Sequence, residues 1–447
     1  MRRPDERWSI NRVAVSGFRS FETLELSFNE RVTLLVGENG SGKTAVLDVL
    51  RVMLSTPVVE LGGDYVPFSH DDVRRVAQDL SSIERTATSE AIYPIVGEVE
   101  AFVGGDQFLW ERRLLGPGRS TTTTNPAVRR WTAALGKRAY EGPTAADRAQ
   151  VLPVIASYGV ERLVGQRQAR GELSKARSSA YASALDPRSD LTRLASFLES
   201  LDGQILAAGA YGDPEPRAAM EQFRAIEAAC TSVLEPVGWR GLRWNRAIDA
   251  LTLTHPQHGT FPLTSLASGP KIVAGLALDL ASRMARANPH LGAGDLLERT
   301  PGIVLIDEVD LHLHPTWQKQ IVPALLKTFP RVQFVLTTHS PQVIATVESE
   351  NIRILSSSGV RTPSFSLGLR PEVVLAEVQG TDPEPKVPLR EQLNRYLDAV
   401  HGGEGHTSEM RELRTHLNER LGGASRNREL MAADALLLMS LPGEAES

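Results

Sequence analysis

Short, uninterrupted apolar runs alternate with stretches of helical periodicity along this chain. The opening segment first alternates, in Arg12-Val13-Ala14-Val15 and in Leu24-Glu25-Leu26-Ser27-Phe28, and then becomes continuously apolar from Val32 to Val36. The alternation predicts half-buried strands, and the continuous run predicts a strand covered on both faces. Gly37 to Thr44 follow as a glycine-rich stretch, and Ala45-Val46-Leu47-Asp48-Val49-Leu50 begins a helix. The order is strand, glycine loop, helix.

Further on, Tyr93 to Leu115 predicts antiparallel strands, with Gly116-Pro117-Gly118 and Thr121 to Thr124 as an exposed loop. Val151 to Tyr158 is another apolar strand. From about Gln166 to Trp244 the pattern is mostly amphipathic helix, carried by Leu191, Leu194, Phe197, Leu198 and Leu201. Sustained heptads are missing there, so no long coiled coil is expected. Ile272, Leu276, Leu280 and Met284 line one side of a helix over Lys271–Ala287. Ile303–Ile306 and Val332–Leu336 are two more buried strands, and the helical stretch Gln318–Phe329 between them makes a β-α-β unit. From about Pro388 the chain is charged and helical, broken at Gly402-Gly403 and Gly422-Gly423.

Composition narrows the class only moderately. The 447 residues carry a net charge of −5, with 41% hydrophobic and 23% charged residues, as in an ordinary globular protein. Arg162, Arg167 and Arg170 cluster, which reads as a solvated face. The single cysteine, Cys230, excludes a disulfide framework and a cysteine-based zinc site. A reducing cytosol fits that usage. The expected location is cytoplasmic and away from membranes, since no run reaches the roughly 18 apolar residues of a membrane helix.

Gly37-Glu38-Asn39-Gly40-Ser41-Gly42-Lys43-Thr44 fits the phosphate-loop pattern at every fixed position. Glycines let successive backbone N–H groups converge on phosphates, and the following helix adds its positive end. Lys43 is expected on the β- and γ-phosphates and Thr44 on Mg²⁺. Gly302-Ile303-Val304-Leu305-Ile306-Asp307-Glu308 carries two acids to the end of a buried strand. Asp307 is placed to hold Mg²⁺ through water, and Glu308 to orient and deprotonate an attacking water. A second strand ends in Thr337-Thr338-His339-Ser340-Pro341, where His339 is a candidate γ-phosphate sensor. His312 and His314 read as part of a turn between protomers, because no third zinc ligand is evident.

These residues resemble the ABC-type ATPases of the RecF, SMC and OLD group. Gly17-Phe18-Arg19-Ser20-Phe21 is similar to that group's N-terminal strand motif, which implies that Arg19 and Ser20 approach the nucleotide. The block from Asp307 to Pro315, with Trp317-Gln318, Phe329-Pro330 and Thr337 to Pro341, resembles the AAA-type ATPases of bacterial anti-phage systems, such as the Septu ATPase and its retron-associated relatives. The resemblance implies an α/β P-loop NTPase with an ABC-type head, in which two protomers sandwich two ATPs. Each would complete the other's site through a signature loop, here Leu266-Ala267-Ser268-Gly269-Pro270-Lys271. Ala267 stands where the family has Ser, so Ser268 is the candidate hydroxyl, with Gly269 beside it. Pro270 is a second departure, which removes one N–H donor. The glutamine that usually follows the Val151–Tyr158 strand is missing too. Tyr158-Gly159 stands there, and Gln166 or Gln168 would be late.

The expected organisation is an N-terminal half of the ATPase core over 1–165 and a helical insertion over 166–244. The C-terminal half of the core then covers 245–370, and a helical region 371–447. The implied function is Mg-dependent ATP hydrolysis driving a dimer, or higher even oligomer, between open and closed states. The expected partner is a separate effector such as an HNH-type nuclease, with DNA as a possible ligand. Two alternatives stand beside it: a RecF- or SMC-like clamp acting directly on DNA, and an ATP-binding scaffold with feeble turnover.

Overall fold

The computed structural model describes residues 7–77, 89–161, 176–188, 191–211, 216–422 and 426–440. Arg162, Gln166, Arg167, Gln168 and Arg170 lie outside them. The chain divides into two compact units, Met1–Gln379 and Gly380–Ser447.

The first unit opens with β1 (Trp8–Phe18), β2 (Phe21–Ser27), β3 (Val32–Val36) and α1 (Lys43–Glu60). Then come β4 (Arg74–Ala77), β5 (Ser89–Ile92), β6 (Ile95–Val103), β7 (Asp106–Leu114), β8 (Thr122–Thr124), α2 (Ala127–Glu141) and α3 (Ala145–Arg148). The middle of the chain forms β9 (Val154–Tyr158), α4 (Leu191–Tyr211), α5 (Pro216–Leu234), β10 (Arg240–Asn245), β11 (Ala250–His255) and β12 (Gly259–Pro262). Next are α6 (Ser268–Ala287), α7 (Ala293–Arg299), β13 (Gly302–Ile306) and α8 (Pro315–Thr328). The sheet closes with β14 (Val332–Thr337), β15 (Ile352–Ser356) and β16 (Gly359–Arg361).

Six strands form the central sheet in the order β16-β15-β3-β14-β13-β9, parallel except for β16. Its strands read as continuous apolar runs because both faces are covered, and side-chain alternation divides each run between two cores. Leu35, Ile155, Ile303, Leu305 and Val335 face one core, shared with α1 and with the antiparallel sheet β2-β1-β6-β7-β8. Leu34, Ala156, Val304, Ile306 and Leu336 face the other, shared with α5, α6 and α8. In α1, Leu50 and Met53 are fully buried. Burying such a side chain is worth about 1.5–3 kcal/mol, so packing rather than propensity holds this helix against the sheet.

Register aligns the strand ends. Leu35 pairs with Thr337, Ile306 with Leu336 and Ile306 with Tyr158. Gly37, Thr338, Asp307 and Gly159 therefore leave the sheet at one edge, where ligands of open α/β sheets bind. β14 stands between β3 and β13, so the acid pair is not on the strand next to the phosphate loop but one strand further.

Three local readings change. Thr122–Thr124, expected in an exposed loop, is a strand paired with β7. The expected helical stretch to Trp244 ends in β10, which pairs with β11. Finally, α6 starts at Ser268 rather than Lys271, so Gly269 and Pro270 lie in its first turn. A proline is tolerated there because first-turn N–H groups have no partner within the helix.

In the second unit, the helices Pro388–His401, Ser408–Leu421 and Arg428–Ser440 enclose a small core of Leu393, Tyr396, Leu417 and Leu430. Gly422 ends the second helix in the left-handed region at φ 78°. Arg414 pairs with Asp434 at 2.7 Å, tying the second helix to the third.

Candidate functional site

The phosphate loop is shaped by its glycines. Gly40 and Gly42 hold φ of 81° and 94°, a region that L side chains rarely adopt. A Cβ at Gly42 would run into the Phe21 ring, and one at Gly37 would lie 2.5 Å from the Leu355 carbonyl oxygen. The loop is thus clamped between the β1–β2 turn and β15. Lys43, only 6% exposed, donates to the carbonyls of Gly37 and Glu38 at 2.9 Å each. Burial lowers its pKa, opposed by the nearby carboxylates of Asp307, Glu308 and Asp310.

Thr44 joins the two halves of the motif. Its hydroxyl donates to Asp307 Oδ2 at 2.9 Å, across 263 positions of sequence. The other oxygen, Oδ1, accepts from the Thr337 hydroxyl at 2.5 Å. The Asp307 backbone N–H donates to the Tyr158 carbonyl at 2.8 Å, fixing the strand end on its other side. Thr337 also accepts the Glu308 N–H at 2.7 Å. Glu308 itself sits at φ 46°, a left-handed conformation that costs a non-glycine residue about 1–3 kcal/mol. A hydroxyl and a carboxylate joined in this way could hold one magnesium ion, the hydroxyl directly and the carboxylate through a bound water.

Behind the acids, the turn to α8 is cross-braced to the end of β14. The Thr338 hydroxyl donates to Asp310, and Ser340 Oγ donates to Gln318 Oε1 at 2.7 Å. Gln318 in turn donates to the Leu313 carbonyl at 3.0 Å. His312 occupies φ 60°, and His314 is the N-cap of α8, its ring accepting from the Thr316 N–H at 3.3 Å. Among the described residues no group of three or more His, Cys, Asp and Glu side chains is arranged to hold a metal. His339 is half-buried beside this brace, and its carbonyl accepts from Gln379 Nε2 at 2.9 Å.

Two clefts flank the loop. One, of about 750 Å³, is lined by Ser20, Phe21, the loop from Gly37 to Ser41, Leu355, Arg361 and Gln379. Its volume is that of a small-molecule site. The other, of about 610 Å³, is lined by Thr44, Arg51, Tyr158, Gly159, Arg188 and Asp307. Ser20 therefore reaches the first cleft. Arg19 turns aside: its guanidinium pairs with Asp48 at 2.7 Å and Asp72 at 2.8 Å and lines neither cleft. Ser268 and Gly269 are also outside both linings. Gly269 packs against the turn to α8, where a Cβ would lie 3.1 Å from the His312 carbonyl oxygen.

Three residues of this site had no assigned role in the sequence reading: Thr337, Tyr158 and Gln379. A polar Thr-Thr pair ending an apolar strand was a usable signal for the first. Tyr158 is fully buried, and its hydroxyl donates to Asp279 Oδ2 at 2.8 Å. Arg283 Nε donates to the same oxygen at 2.7 Å. Burial alone would raise the Asp279 pKa, but Arg283, Arg286 and the Tyr158 hydroxyl together outweigh it and the carboxyl is held below its usual range. This network ties α6, with Ser268 and Gly269 at its start, to the end of β9.

Two family models match the chain: "AAA domain, putative AbiEii toxin, Type IV TA system" over residues 162–345, and "AAA domain" over residues 12–127. A retron Ec83 probable ATPase from Escherichia coli is 39% identical over 207 residues, covering 45% of this chain and 36% of the relative. A Septu protein PtuA from Bacillus mycoides (strain KBAB4) is 40% identical over 79 residues, covering 18% and 10%. A DNA replication and repair protein RecF from Anaeromyxobacter dehalogenans (strain 2CP-C) is 26% identical, covering 79% of this chain and 98% of the relative. The chain thus spans about a third of the retron relative's length and a tenth of the Septu relative's. A solved SMC head bound to the C-winged helix domain of ScpA superposes with a TM-score of 0.46 at 15% identity, covering 80% of this chain and 98% of that one. The chain is thus similar in sequence to AAA domains, to ATPases of anti-phage systems and to RecF.

Proposed function

We propose that this relative of the retron and Septu ATPases binds ATP with Mg²⁺ in its phosphate loop, hydrolyses it, and uses the cycle to open and close a dimer. The contact between Thr44 and Asp307 carries this reading, since it brings the end of the loop and the strand-end acid together, where the hydroxyl would bind magnesium directly and the carboxylate through water.

The backbone N–H groups of Gly37 to Thr44 and the first turn of α1 would hold the phosphates, with the Lys43 ammonium turning from the loop carbonyls to the β- and γ-oxygens. Bound by Thr44 and, through water, by Asp307, magnesium would neutralise charge developing on the phosphoryl oxygens. Glu308 would orient a water in line with the γ-phosphorus and take its proton as the P–O bond to ADP breaks, leaving ADP and inorganic phosphate. In this scheme His339 contacts the γ-phosphate, and Ser20 walls the nucleotide. Arg19 would join it only by leaving Asp48 and Asp72. Ser268 and Gly269, at the start of α6, would meet the phosphates of a second protomer. We also retain the division into two core halves, 1–165 and 245–370, with 166–244 inserted and 371–447 following.

ATP bound only in the closed form shifts the population toward it, and hydrolysis reverses the shift. The relatives' defence context supports a separate effector protein, such as a nuclease, as the reader of that switch. A second reading, direct action on DNA, is favoured by the RecF match across most of this chain.

Steady-state hydrolysis with and without double-stranded DNA, for wild type, Lys43→Ala and Glu308→Gln, tests both. The Glu308→Gln protein should keep ATP binding, lose turnover and accumulate as the closed dimer; full turnover in it would remove Glu308 from the mechanism. Lys43→Ala should lose nucleotide binding, and unchanged affinity would sink the phosphate-loop assignment. Stimulation by DNA would favour the RecF-like reading, and indifference to DNA the effector-coupled switch.

A further inference from the structure

The structure assigns Gln379 as a positioning residue for His339: its side-chain amide braces the switch histidine's backbone against the wall of the phosphate-loop cleft. This rests on the proposed ATPase reading for its consequence, but not for its geometry.

Gln379 lines the larger cleft together with the phosphate loop and Arg361. Its Nε2 donates to the His339 carbonyl at 2.9 Å, forty residues away in sequence. A carbonyl only accepts, so the amide's orientation is fixed by this bond. The contact works as a brace because the backbone under Gln379 is anchored on several sides. Val374 and Val378 are fully buried in the core beneath the sheet. The Gln379 N–H donates to the Val374 carbonyl at 3.0 Å, ending a five-residue π-helical turn over Val374–Val378. Arg361, which also lines the cleft, donates to the Val378 carbonyl at 3.3 Å. Such turns are wide and rare in globular proteins, and they recur at functional sites.

His339 is held from its far side as well. Thr338 is braced to Asp310, and the Ser340 N–H donates to the Thr338 hydroxyl at 2.9 Å. The peptide between His339 and Ser340 is thus held at its N–H by the Thr338 hydroxyl and at its carbonyl by Gln379. Loss of the amide donor removes one of this peptide's two hydrogen bonds, so the peptide tilts about the remaining one and the direction of the imidazole shifts with it. The nucleotide's own contacts to the loop stay in place.

The test uses the full chain with Gln379→Ala and with Gln379→Glu, which keeps the size but cannot donate from a carboxylate. Both should lower kcat by about three- to tenfold, the effect of one neutral hydrogen bond. ATP affinity of Gln379→Ala, measured directly, should stay within about twofold, and in a His339→Ala background neither change should lower kcat further. The His339 ring resonances, assigned by their loss in His339→Ala, should move in both variants without nucleotide. Full kcat in either variant, weakened ATP binding in Gln379→Ala, or losses that multiply with His339→Ala would overturn the assignment. If wild type shows no turnover, the ATPase reading fails; the ring resonances then decide the brace alone, and unmoved resonances refute it.

Discussion

Thr337→Val is the sharpest test of how the acid pair is held. The substitution keeps the shape of a fully buried side chain and removes only its hydroxyl. That hydroxyl donates to Asp307 Oδ1 at 2.5 Å and accepts from the Glu308 N–H at 2.7 Å. A hydrogen bond to a charged group contributes about 1.5–3 kcal/mol, and a buried N–H left unpaired costs about 1–3 kcal/mol. The two do not add fully, because Glu308 is only half-buried and water reaches its side. The expected destabilisation is therefore about 3–4 kcal/mol. Thr337→Ser is the control: it keeps the hydroxyl and removes one buried methyl, which costs about 1 kcal/mol. Urea denaturation of both variants measures the difference. Magnesium dependence of nucleotide binding should weaken in Thr337→Val and hold in Thr337→Ser, because Asp307 loses its orientation only in the first. Equal destabilisation of the two variants, or a Thr337→Val protein within 1 kcal/mol of wild type, would refute the claim that this hydroxyl positions both acids.

Gly42→Ala should destabilise the protein by about 1–3 kcal/mol, because the left-handed φ is strained for alanine and its Cβ meets Phe21. Its nucleotide affinity should fall with it, which a binding titration reads; an unchanged affinity would show that Phe21 yields freely. Asp279→Ala leaves Arg283 buried without its partner, and breaking such a pair costs about 3–5 kcal/mol. Tyr158→Phe, which leaves that pair intact, should cost far less, and thermal denaturation of the two variants compares them. Burial pushes the Cys230 thiol from the usual 9.0 up to about 12. A raised pKa favours the folded state fully below the unfolded value, and that contribution is lost as pH rises toward the folded one. At pH 8 a thiol reagent should therefore label Cys230 only as the protein unfolds in urea, and rapid labelling of the native protein would contradict its burial.

The apolar runs alone predicted β3, β13 and β14 almost to the residue, because a strand covered on both faces has no polar positions to interrupt it. The glycine spacing of residues 37–44 and the acids after Ile306 were legible for a related reason: both chemistries depend on residue type at fixed local offsets. Periodicity reports burial, however, and not which strand lies beside which. That β14 separates β3 from β13 came only from the tertiary structure. So did every contact that fixes the site across long separations: Thr44 and Thr337 on the two oxygens of Asp307, Phe21 over Gly42, Tyr158 on Asp279, and Gln379 on the His339 carbonyl. Such partners are chosen by strand order and register, and no local pattern encodes them. The sequence thus determined what chemistry the chain carries at one edge of a sheet, and the folded packing decided which neighbours hold each group in place.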